Sequence, residues 1–276
     1  MNWQVARFLL SLRRPLVMGI VNVTPDSFSD GARHAAPLAA GAHCDRLLAE
    51  GADILDIGGE STRPGAQRPD LEQEWARLLP VLQHAVTLGV PISVDTSRPE
   101  VMQRALDLGV DIVNDVRALT EEGAVDVLVR TQQAGICLMH MRGSPDSMEH
   151  FVDYRDVAGE VRQFLQDRLK AVTDAGVAAN RIVLDPGIGF AKTAEQNWTL
   201  LRRQGEIASL GRPVLVGWSR KSPLGQLTGR SVEHRVGASV AAALASIQRG
   251  AAIVRVHDVA ETVDAIKVWQ SAGLTT

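Results

Sequence analysis

Eight short runs rich in β-branched residues recur along the chain, and they constrain its fold more than any other feature. The runs cover residues 16–21, 54–57, 91–94, 111–113, 136–139, 182–184, 214–216 and 253–256. The segments between them have the period of amphipathic helices, most clearly at 37–52, 70–86, 98–109, 161–176 and 236–251. Strand and helix alternating eight times predict an α/β fold, the parallel (β/α)8 TIM barrel, with a doubly wound open sheet as the alternative. No linker or low-complexity segment interrupts the pattern, so we expect a single domain over residues 1–276.

Composition limits the classes of partner. The chain has 276 residues, 45% of them hydrophobic, and a formal net charge of −3, so it can bury a large core. It has no long Lys/Arg run, which argues against nucleic acid, and no apolar stretch near the roughly 20 residues that cross a bilayer, which argues against a membrane. The N-terminal segment lacks the cleavage site of a signal peptide. Cys44 and Cys137 are too few for a disulfide framework or a zinc site, which fits a reducing cytoplasm.

Polar or ionisable residues follow every one of the eight runs. They are Asn22, the segment 58–66, Asp95 with Thr96, Asn114 with Asp115, His140, and the segments 185–190, 218–222 and 255–258. In a barrel the carboxyl ends of all strands meet at one mouth, where the active sites of this fold lie. One such Asn is most simply a turn former. Turn chemistry does not explain eight polar strand ends, so they predict an active site.

The residues at this mouth fall into two chemical groups. The cations are Arg63, Arg220, Lys221, Arg255 and His257, and the acids and amide are Asp56, Asp95, Asn114 and Asp185. Clustered guanidinium, ammonium and imidazole groups suit a diphosphate, and buried carboxylates suit a flat heterocycle rich in N–H groups. Asn22 beside a diphosphate suggests Mg²⁺, which binds through few protein oxygens. Aromatic residues are only 4% of the chain, so Arg255 is the predicted stacking partner for the ring.

Other residues of the chain have simpler structural interpretations. Ser222 and Pro223 fit the N-cap and first position of a helix, whose free N–H groups would hold a substrate carboxylate beside Ser222. His43, His84 and His150 lie on helical or loop segments and are expected at the surface. The Gly-Ile-Gly of residues 187–189 lacks the full dinucleotide fingerprint.

Taken together, these motifs resemble those of the dihydropteroate synthases over residues 15–268. The matching segments are NVTPDSFSDG, GGESTRPGA, SVDT, VNDV, MHM, DPGIGF, SRKS and RVHDV, in the order of that family. The resemblance implies a cytoplasmic homodimer with a (β/α)8 barrel. It implies a transferase of folate biosynthesis, inhibited by sulfonamides, that joins 6-hydroxymethyl-7,8-dihydropterin diphosphate to 4-aminobenzoate and releases diphosphate.

The resemblance also implies a role for each matching residue. The pterin would contact Asp95, Asn114, Met139, Asp185, Phe190, Lys221 and Arg255. The diphosphate and its Mg²⁺ would contact Asn22, Thr62, Arg63, Arg255 and His257, with Asn22 as the metal ligand. The 4-aminobenzoate would contact Phe28, Pro64, Lys221 and Ser222. Catalysis would rest on charge stabilisation by Arg63, Lys221, Arg255 and His257 as the diphosphate leaves.

Three segments depart from the family pattern. Ala32, Arg33 and His34 follow the first motif where a second glycine is common, QRPDLEQE follows the second, and Trp218 replaces a smaller residue. Two alternatives stay open: a non-catalytic paralogue that binds pterin, and a methyltransferase that takes a methyl group from a tetrahydrofolate. The methyltransferases bind no diphosphate, so the STRPG segment and the pair Arg255 and His257 argue against that class.

Overall fold

Eight parallel strands close into a barrel, which confirms the (β/α)8 prediction and rules out the open sheet. The computed structural model describes residues 1–23, 35–61, 65 and 67–274. The barrel strands are β3 (Leu16–Asn22), β4 (Ile54–Gly58), β5 (Ile92–Asp95), β6 (Ile112–Asp115), β7 (Gly135–Met139), β8 (Ile182–Asp185), β9 (Val214–Val216) and β10 (Ala251–Val256). Neighbours in sequence are neighbours in the barrel, and β10 closes it by pairing with β3.

Helices surround the barrel on its outer face. They are α1 (Ala35–Ala49), α2 (Leu71–Ala85), α3 (Pro99–Leu108), α4 (Ala124–Arg130), α5 (Val157–Asp174), α6 (Ala194–Arg202), α7 (Gly205–Ala208), α8 (Ser222–Thr228), α9 (Val236–Gln248) and α10 (Val259–Ser271). Each of the five segments with clear helical period overlaps one of them, although α1 and α5 begin two and four residues before the predicted start. Local signals set their ends: Asp70 accepts a hydrogen bond from the Gln73 N–H at the start of α2, and Gly109 ends α3 with φ of 106°. None of the described helices is both long enough and apolar enough to cross a membrane.

The alternation of side chains along each strand divides the barrel residues into two sets. One set packs outward against the helices, as Val17 and Val21 of β3 do. The other set fills the interior, and its members near the amino ends of the strands are apolar: Leu16, Met18, Ile54, Ile112, Cys137, Val183, Leu215 and Ile253. The same inward positions become polar toward the carboxyl ends. The fold therefore separates an apolar base from a polar mouth.

An antiparallel hairpin that the sequence analysis did not predict packs on the apolar base. Its strands are β1 (Asn2–Val5) and β2 (Phe8–Ser11). Trp3 and Val5 are completely buried among the interior residues, and the Trp3 indole N–H donates to the Arg181 carbonyl at 2.7 Å. A Cβ at Gly135 would lie 2.3 Å from Val5 Cγ1, so only glycine lets the hairpin approach β7 this closely.

Candidate active site at the mouth of the barrel

The inward positions at the carboxyl ends of the strands bring most of the predicted polar residues together. Among the described residues, the side chains around one small cavity are Ile20, Asp95, Asn114, Val116, Met139, Asp185, Phe190, Gly217, Ser219, Lys221, Arg255 and His257. Its volume is about 50 Å³, well below the roughly 300 Å³ at which small-ligand pockets begin. A bicyclic ligand therefore needs the longer side chains of this cavity to move.

Arg255 occupies the centre of the cavity and joins two carboxylates. Its Nε donates to Asp56 Oδ2 at 2.6 Å, and its Nη2 donates to Asp95 Oδ2 at 2.9 Å. Asn114 Nδ2 also donates to Asp56 Oδ2, at 3.1 Å. Arg255 lies among the acids because the barrel curvature brings β10, β4 and β5 within side-chain reach.

The carboxylates give this cavity an excess of negative charge. Asp56, Asp95 and Asp185 face the two cations Arg255 and Lys221, which leaves a formal charge of −1. Burial raises the pKa of Asp95, and the Arg255 charge opposes that rise. Burial also raises the pKa of Asp185, with Lys221 opposing. Asp56 Oδ1 is buried and has no hydrogen-bond partner among the described residues. Such a surface suits a ligand that presents several N–H donors.

Lys221 is folded against the loop that follows β8. Its Nζ donates to the Ile188 carbonyl and lies 4.3 Å from the centre of the Phe190 ring. Burial lowers the pKa of Lys221 to about 8, although Asp185 acts to raise it. The Lys221 ammonium thus lines the cavity and stays close to the Asp185 carboxylate.

His257 is oriented by Ser219. The Ser219 hydroxyl oxygen accepts from the His257 backbone N–H at 3.1 Å and lies 3.0 Å from its Nδ1. Burial, followed by the charges of Arg255 and Arg220, lowers the pKa of His257 to about 3. The imidazole is therefore neutral at pH 7. A Ser219 O–H that donates to Nδ1 leaves the Nε2–H as the donor toward a ligand.

The segment after β9 differs in detail from the prediction. The helix α8 begins at Ser222, so its N-cap is Lys221 and not Ser222, and Pro223 is the second helical residue. The reason is that Lys221, which follows Arg220 with its φ of 61°, already has the extended backbone angles of an N-cap, so the helix starts one residue earlier than predicted. Ser222 is exposed at the rim. The guanidinium of Arg220 forms a bidentate pair with Asp258 and is not directed to the cavity.

Asn22 is the last residue of β3 and lies level with Gly58 of β4. It is half-buried at the mouth. Within the described ranges, no group of three or more His, Cys, Asp or Glu side chains is arranged to hold a metal ion. Four other predicted contacts, Phe28, Thr62, Arg63 and Pro64, lie outside the described residues.

Strand alternation separates the polar pairs at the ends of β5 and β6 and turns the polar residue after β7 outward. Asp95 and Asn114 face the cavity, whereas Thr96, Asp115 and His140 face outward. The Thr96 hydroxyl donates to Glu74 at 2.5 Å, and Asp115 accepts from the Ser97 hydroxyl at the same distance. The period of two along a strand was sufficient to predict which member of each pair points inward.

Two supporting residues were missed by the sequence analysis. Lys192 contacts the ends of β7 and the loop after β8, and Asn197 accepts from the Gly189 N–H at 2.7 Å. Both follow the DPGIGF motif by a few residues. A lysine and an asparagine in a loop and a helix give no local signal, because their partners are backbone carbonyls and N–H groups.

Comparison with known families and proteins gives one consistent result. Residues 18–257 match the family model described as pterin binding enzyme. The dihydropteroate synthase of Neisseria meningitidis serogroup B is 53% identical over 278 aligned positions, which cover 99% of this chain and 98% of that protein.

Solved structures agree with the sequence relatives. Xanthomonas albilineans dihydropteroate synthase with 4-aminobenzoic acid superposes with a TM-score of 0.92 at 49% identity, covering 97% of this chain and 96% of the other. The Yersinia pestis dihydropteroate synthase with a sulfonamide drug complex gives a TM-score of 0.93 at 42% identity, with 99% of each chain covered.

Proposed function

This chain belongs to the dihydropteroate synthase family of pterin-binding enzymes, and from that membership we propose how the mouth of its barrel works. The enzyme is a transferase that condenses 6-hydroxymethyl-7,8-dihydropterin diphosphate with 4-aminobenzoate. The products are 7,8-dihydropteroate and diphosphate. The observation that carries this function is the group Asp95, Asn114, Asp185, Lys221 and Arg255 around one cavity.

The pterin ring takes the acidic part of the cavity. The N–H groups and ring nitrogens of the pterin form hydrogen bonds with Asp95, Asn114 and Asp185, and Lys221 donates to the ring carbonyl. Met139 and Phe190 pack on the ring. The small volume of the cavity supports an exchange in which Arg255 leaves Asp95 and stacks on the ring, so that the freed Asp95 oxygen accepts from a ligand N–H.

The diphosphate lies toward the rim, where the Arg255 guanidinium offsets its charge and the neutral His257 donates a hydrogen bond to its oxygens. Thr62 and Arg63, from the segment 58–66 that follows β4, complete the contacts to the diphosphate. A neutral His257 donates through Nε2, since Ser219 holds Nδ1. These donors stabilise the charge that develops as the C–O bond to diphosphate breaks.

The second substrate lies above the pterin. Phe28 and Pro64 close over the aminobenzoate ring, and Lys221 and Ser222 hold its carboxylate. The bond between the pterin methylene carbon and the diphosphate oxygen breaks with its electron pair going to diphosphate. The amine nitrogen then bonds to that carbon and loses a proton to diphosphate or water. No covalent enzyme intermediate is formed.

Mg²⁺ fits this site as an ion that arrives with the diphosphate. One amide oxygen, from Asn22, is a small protein contribution, and Mg²⁺ commonly completes its six ligands with phosphate oxygens and water. When bound, the ion offsets charge on the leaving group. We expect Asn22→Ala to raise the Mg²⁺ concentration needed for half-maximal rate, and we expect excess EDTA to abolish turnover. Full turnover in EDTA contradicts this requirement.

We further propose a homodimer in the cytoplasm, with residues 1–276 as one domain. Leu227 of α8 and Val232, between α8 and α9, are exposed and support an interface there. Both cysteines are buried and unbonded, which supports a reducing compartment. Sedimentation of the wild-type chain and of Leu227→Asp tests the dimer: a monomeric wild type contradicts it.

Purified protein with the two substrates and Mg²⁺ tests the function directly. Release of diphosphate that depends on 4-aminobenzoate, together with formation of dihydropteroate, is the expected result. Binding of a pterin without turnover identifies the non-catalytic paralogue. Methyl transfer from methyltetrahydrofolate in place of diphosphate release identifies the other alternative.

A further inference from the structure

Lys192 packs against the loop that joins β8 to α6 and is not among the residues that line the cavity. Its Nζ donates to the carbonyls of Phe190 at 2.8 Å and Gly187 at 3.0 Å, and it lies 3.4 Å from the His140 carbonyl. The same Nζ is 3.0 Å from His140 Nδ1. One ammonium therefore ties the loop to the end of β7.

Several hydrogen bonds hold the shape of this loop, among them a turn bond from the Phe190 N–H to the Gly187 carbonyl at 3.1 Å. Gly187, Gly189 and Ala191 all have positive φ, at 69°, 80° and 48°. A Cβ at Gly187 would lie 1.9 Å from the His140 carbonyl oxygen, so this backbone is pressed against β7. Asn197 fixes the Gly189 N–H, and Lys192 collects the outward carbonyls.

The inner face of the same loop forms one wall of the pterin site. The Gly187 N–H donates to Asp185 Oδ1 at 2.7 Å, the Ile188 carbonyl accepts from Lys221, and the Phe190 ring lies beside the Lys221 ammonium. The Gly187 carbonyl that Lys192 binds is on the same residue as the N–H that donates to Asp185, and the Phe190 carbonyl is on the residue whose ring contacts Lys221. The contacts of Lys192 therefore restrain the residues that face Asp185 and Lys221.

We propose that Lys192 is a positioning residue for pterin recognition, which acts by holding the loop 186–191 so that Asp185, Phe190 and Lys221 keep their places in the cavity. The proposal rests on the function proposed above. Lys192 touches neither substrate. Its removal leaves the Phe190 carbonyl and the His140 Nδ1 without their donor and leaves the Gly187 carbonyl with only the Phe190 N–H, so the loop loses its attachment to the end of β7.

Arg181 offers a matched control at the other end of β8. It is 3% exposed and donates to the carbonyls of Ala134 at 2.8 Å and Leu128 at 3.0 Å. Arg181→Met therefore removes a cation that also bonds backbone carbonyls, but at the base of the barrel. Both variants are compared at a temperature well below their melting points.

The experiment measures binding and kinetics of Lys192→Met, with Lys192→Gln as the milder variant if the first does not fold. We expect the Kd for 6-hydroxymethylpterin and the KM for the dihydropterin diphosphate to rise at least tenfold, while the Kd for inorganic diphosphate changes less than twofold. Arg181→Met is expected to lose stability but keep its pterin Kd within twofold. A folded Lys192 variant with wild-type pterin affinity, or an equal loss in Arg181→Met, overturns the proposal.

A second measurement does not depend on the function. In ¹⁵N spectra of the wild type, His140 Nδ1 should carry no proton, because it accepts from Lys192, and a protonated Nδ1 overturns the contact. If the wild type binds no pterin, the proposed function fails and the His140 spectrum still reports on the Lys192 contact.

Discussion

Asp185 shows how a single carboxylate joins the loop backbone to the ligand site. One oxygen accepts from the Gly187 N–H, which leaves the other for the ligand. An amide at this position keeps one acceptor and adds N–H donors, so either Gly187 or a ligand donor loses its partner. Each buried donor left unpaired costs about 1–3 kcal/mol.

We therefore expect Asp185→Asn to raise the Kd of a pterin analogue by roughly tenfold or more, a loss of about 1.4 kcal/mol or more in binding free energy. The KM for 4-aminobenzoate should change far less. Calorimetry with the analogue measures the effect. Asp111→Asn is the control, because Asp111 is also buried and bonds the Ile92 N–H, but at the base of the barrel. Unchanged pterin affinity in Asp185→Asn means that Asp185 has only a structural role.

His257 makes the stability of the enzyme depend on pH. Its pKa in the folded chain is about 3, below the ordinary value of 6.5, so only the unfolded chain takes up this proton between those values. The stability that His257 contributes is present above pH 6.5 and falls as the pH is lowered toward 3. The slope is about 1.4 kcal/mol per pH unit.

His257→Asn removes this proton from the unfolded state. The difference in unfolding free energy between the variant and the wild type should therefore shift in favour of the variant by about 1.4 kcal/mol per pH unit below pH 6. Denaturant titrations at pH 7 and pH 5 measure it. Both proteins share all other titrating groups, including the Asp95 and Asp185 carboxyls, whose pKa values are raised. The difference between the two proteins therefore reports the effect of His257 alone. A difference that is independent of pH contradicts the neutral, buried imidazole.

At the scale of elements, the hairpin of β1 and β2 serves the barrel without touching the mouth. Trp3 is fully buried at the base, and its indole N–H has a partner in the Arg181 carbonyl. Trp3→Ala removes both, and a buried Trp or Phe changed to Ala costs about 3–5 kcal/mol. We expect that loss in denaturant unfolding, with the KM values of both substrates unchanged at a temperature where the variant is folded. A raised KM for the pterin substrate contradicts the separation of base and mouth.

The hairpin also shows why part of the fold escaped prediction. Its turn consists of Ala6 and Arg7, where a two-residue turn normally carries Asn-Gly or Asp-Gly, and Ala6 has a positive φ of 44°. Its strands are four residues each and pair only with one another. The eight barrel strands, by contrast, each combine β-branched residues with a following helix, and this repeated pattern predicts the closed barrel without knowledge of any contact.

The candidate site was predictable as a set of residues and not as a set of bonds. Polar residues at strand ends locate Asp95, Asn114 and Asp185 at the mouth, since all parallel strands end there. Arg255 and Asp56 are 199 positions apart in the chain, and no local pattern states that they pair. The same holds for Lys192, whose partners are backbone carbonyls.

At the scale of the whole molecule, the two ends of β8 show that the barrel has a base that stabilises the fold and a mouth that faces the ligand site. Arg181 at its start bonds the base, and Asp185 at its end faces the cavity, only a strand length away. The apolar interior between them separates residues that stabilise the fold from residues that bind ligand. Changes at the base are therefore expected to affect stability alone, and ligands at the mouth are expected to influence one another.

Lys221 is the residue through which that influence is exerted. Its ammonium contacts the Ile188 carbonyl and the Phe190 ring inside the cavity, and the proposed sites of both substrates use the same group. We expect a bound pterin to replace these contacts, so that the aminobenzoate site forms fully only when pterin is present. Phe28 and Pro64, by the family resemblance, close over that second site.

We therefore expect a sulfonamide to bind the free enzyme at least about tenfold more weakly than it binds the enzyme with diphosphate, Mg²⁺ and a pterin, because the first ligands select the state that the second requires. Phe28→Ala should remove most of this gain and leave pterin affinity intact, since the family resemblance assigns Phe28 to the second substrate alone. Lys221→Met should weaken the binding of both the pterin and the sulfonamide, since both are proposed to contact Lys221. Calorimetry of the sulfonamide with and without the other ligands measures the coupling. Equal sulfonamide affinity in the two conditions means that the sites are independent and that Lys221 does not link them.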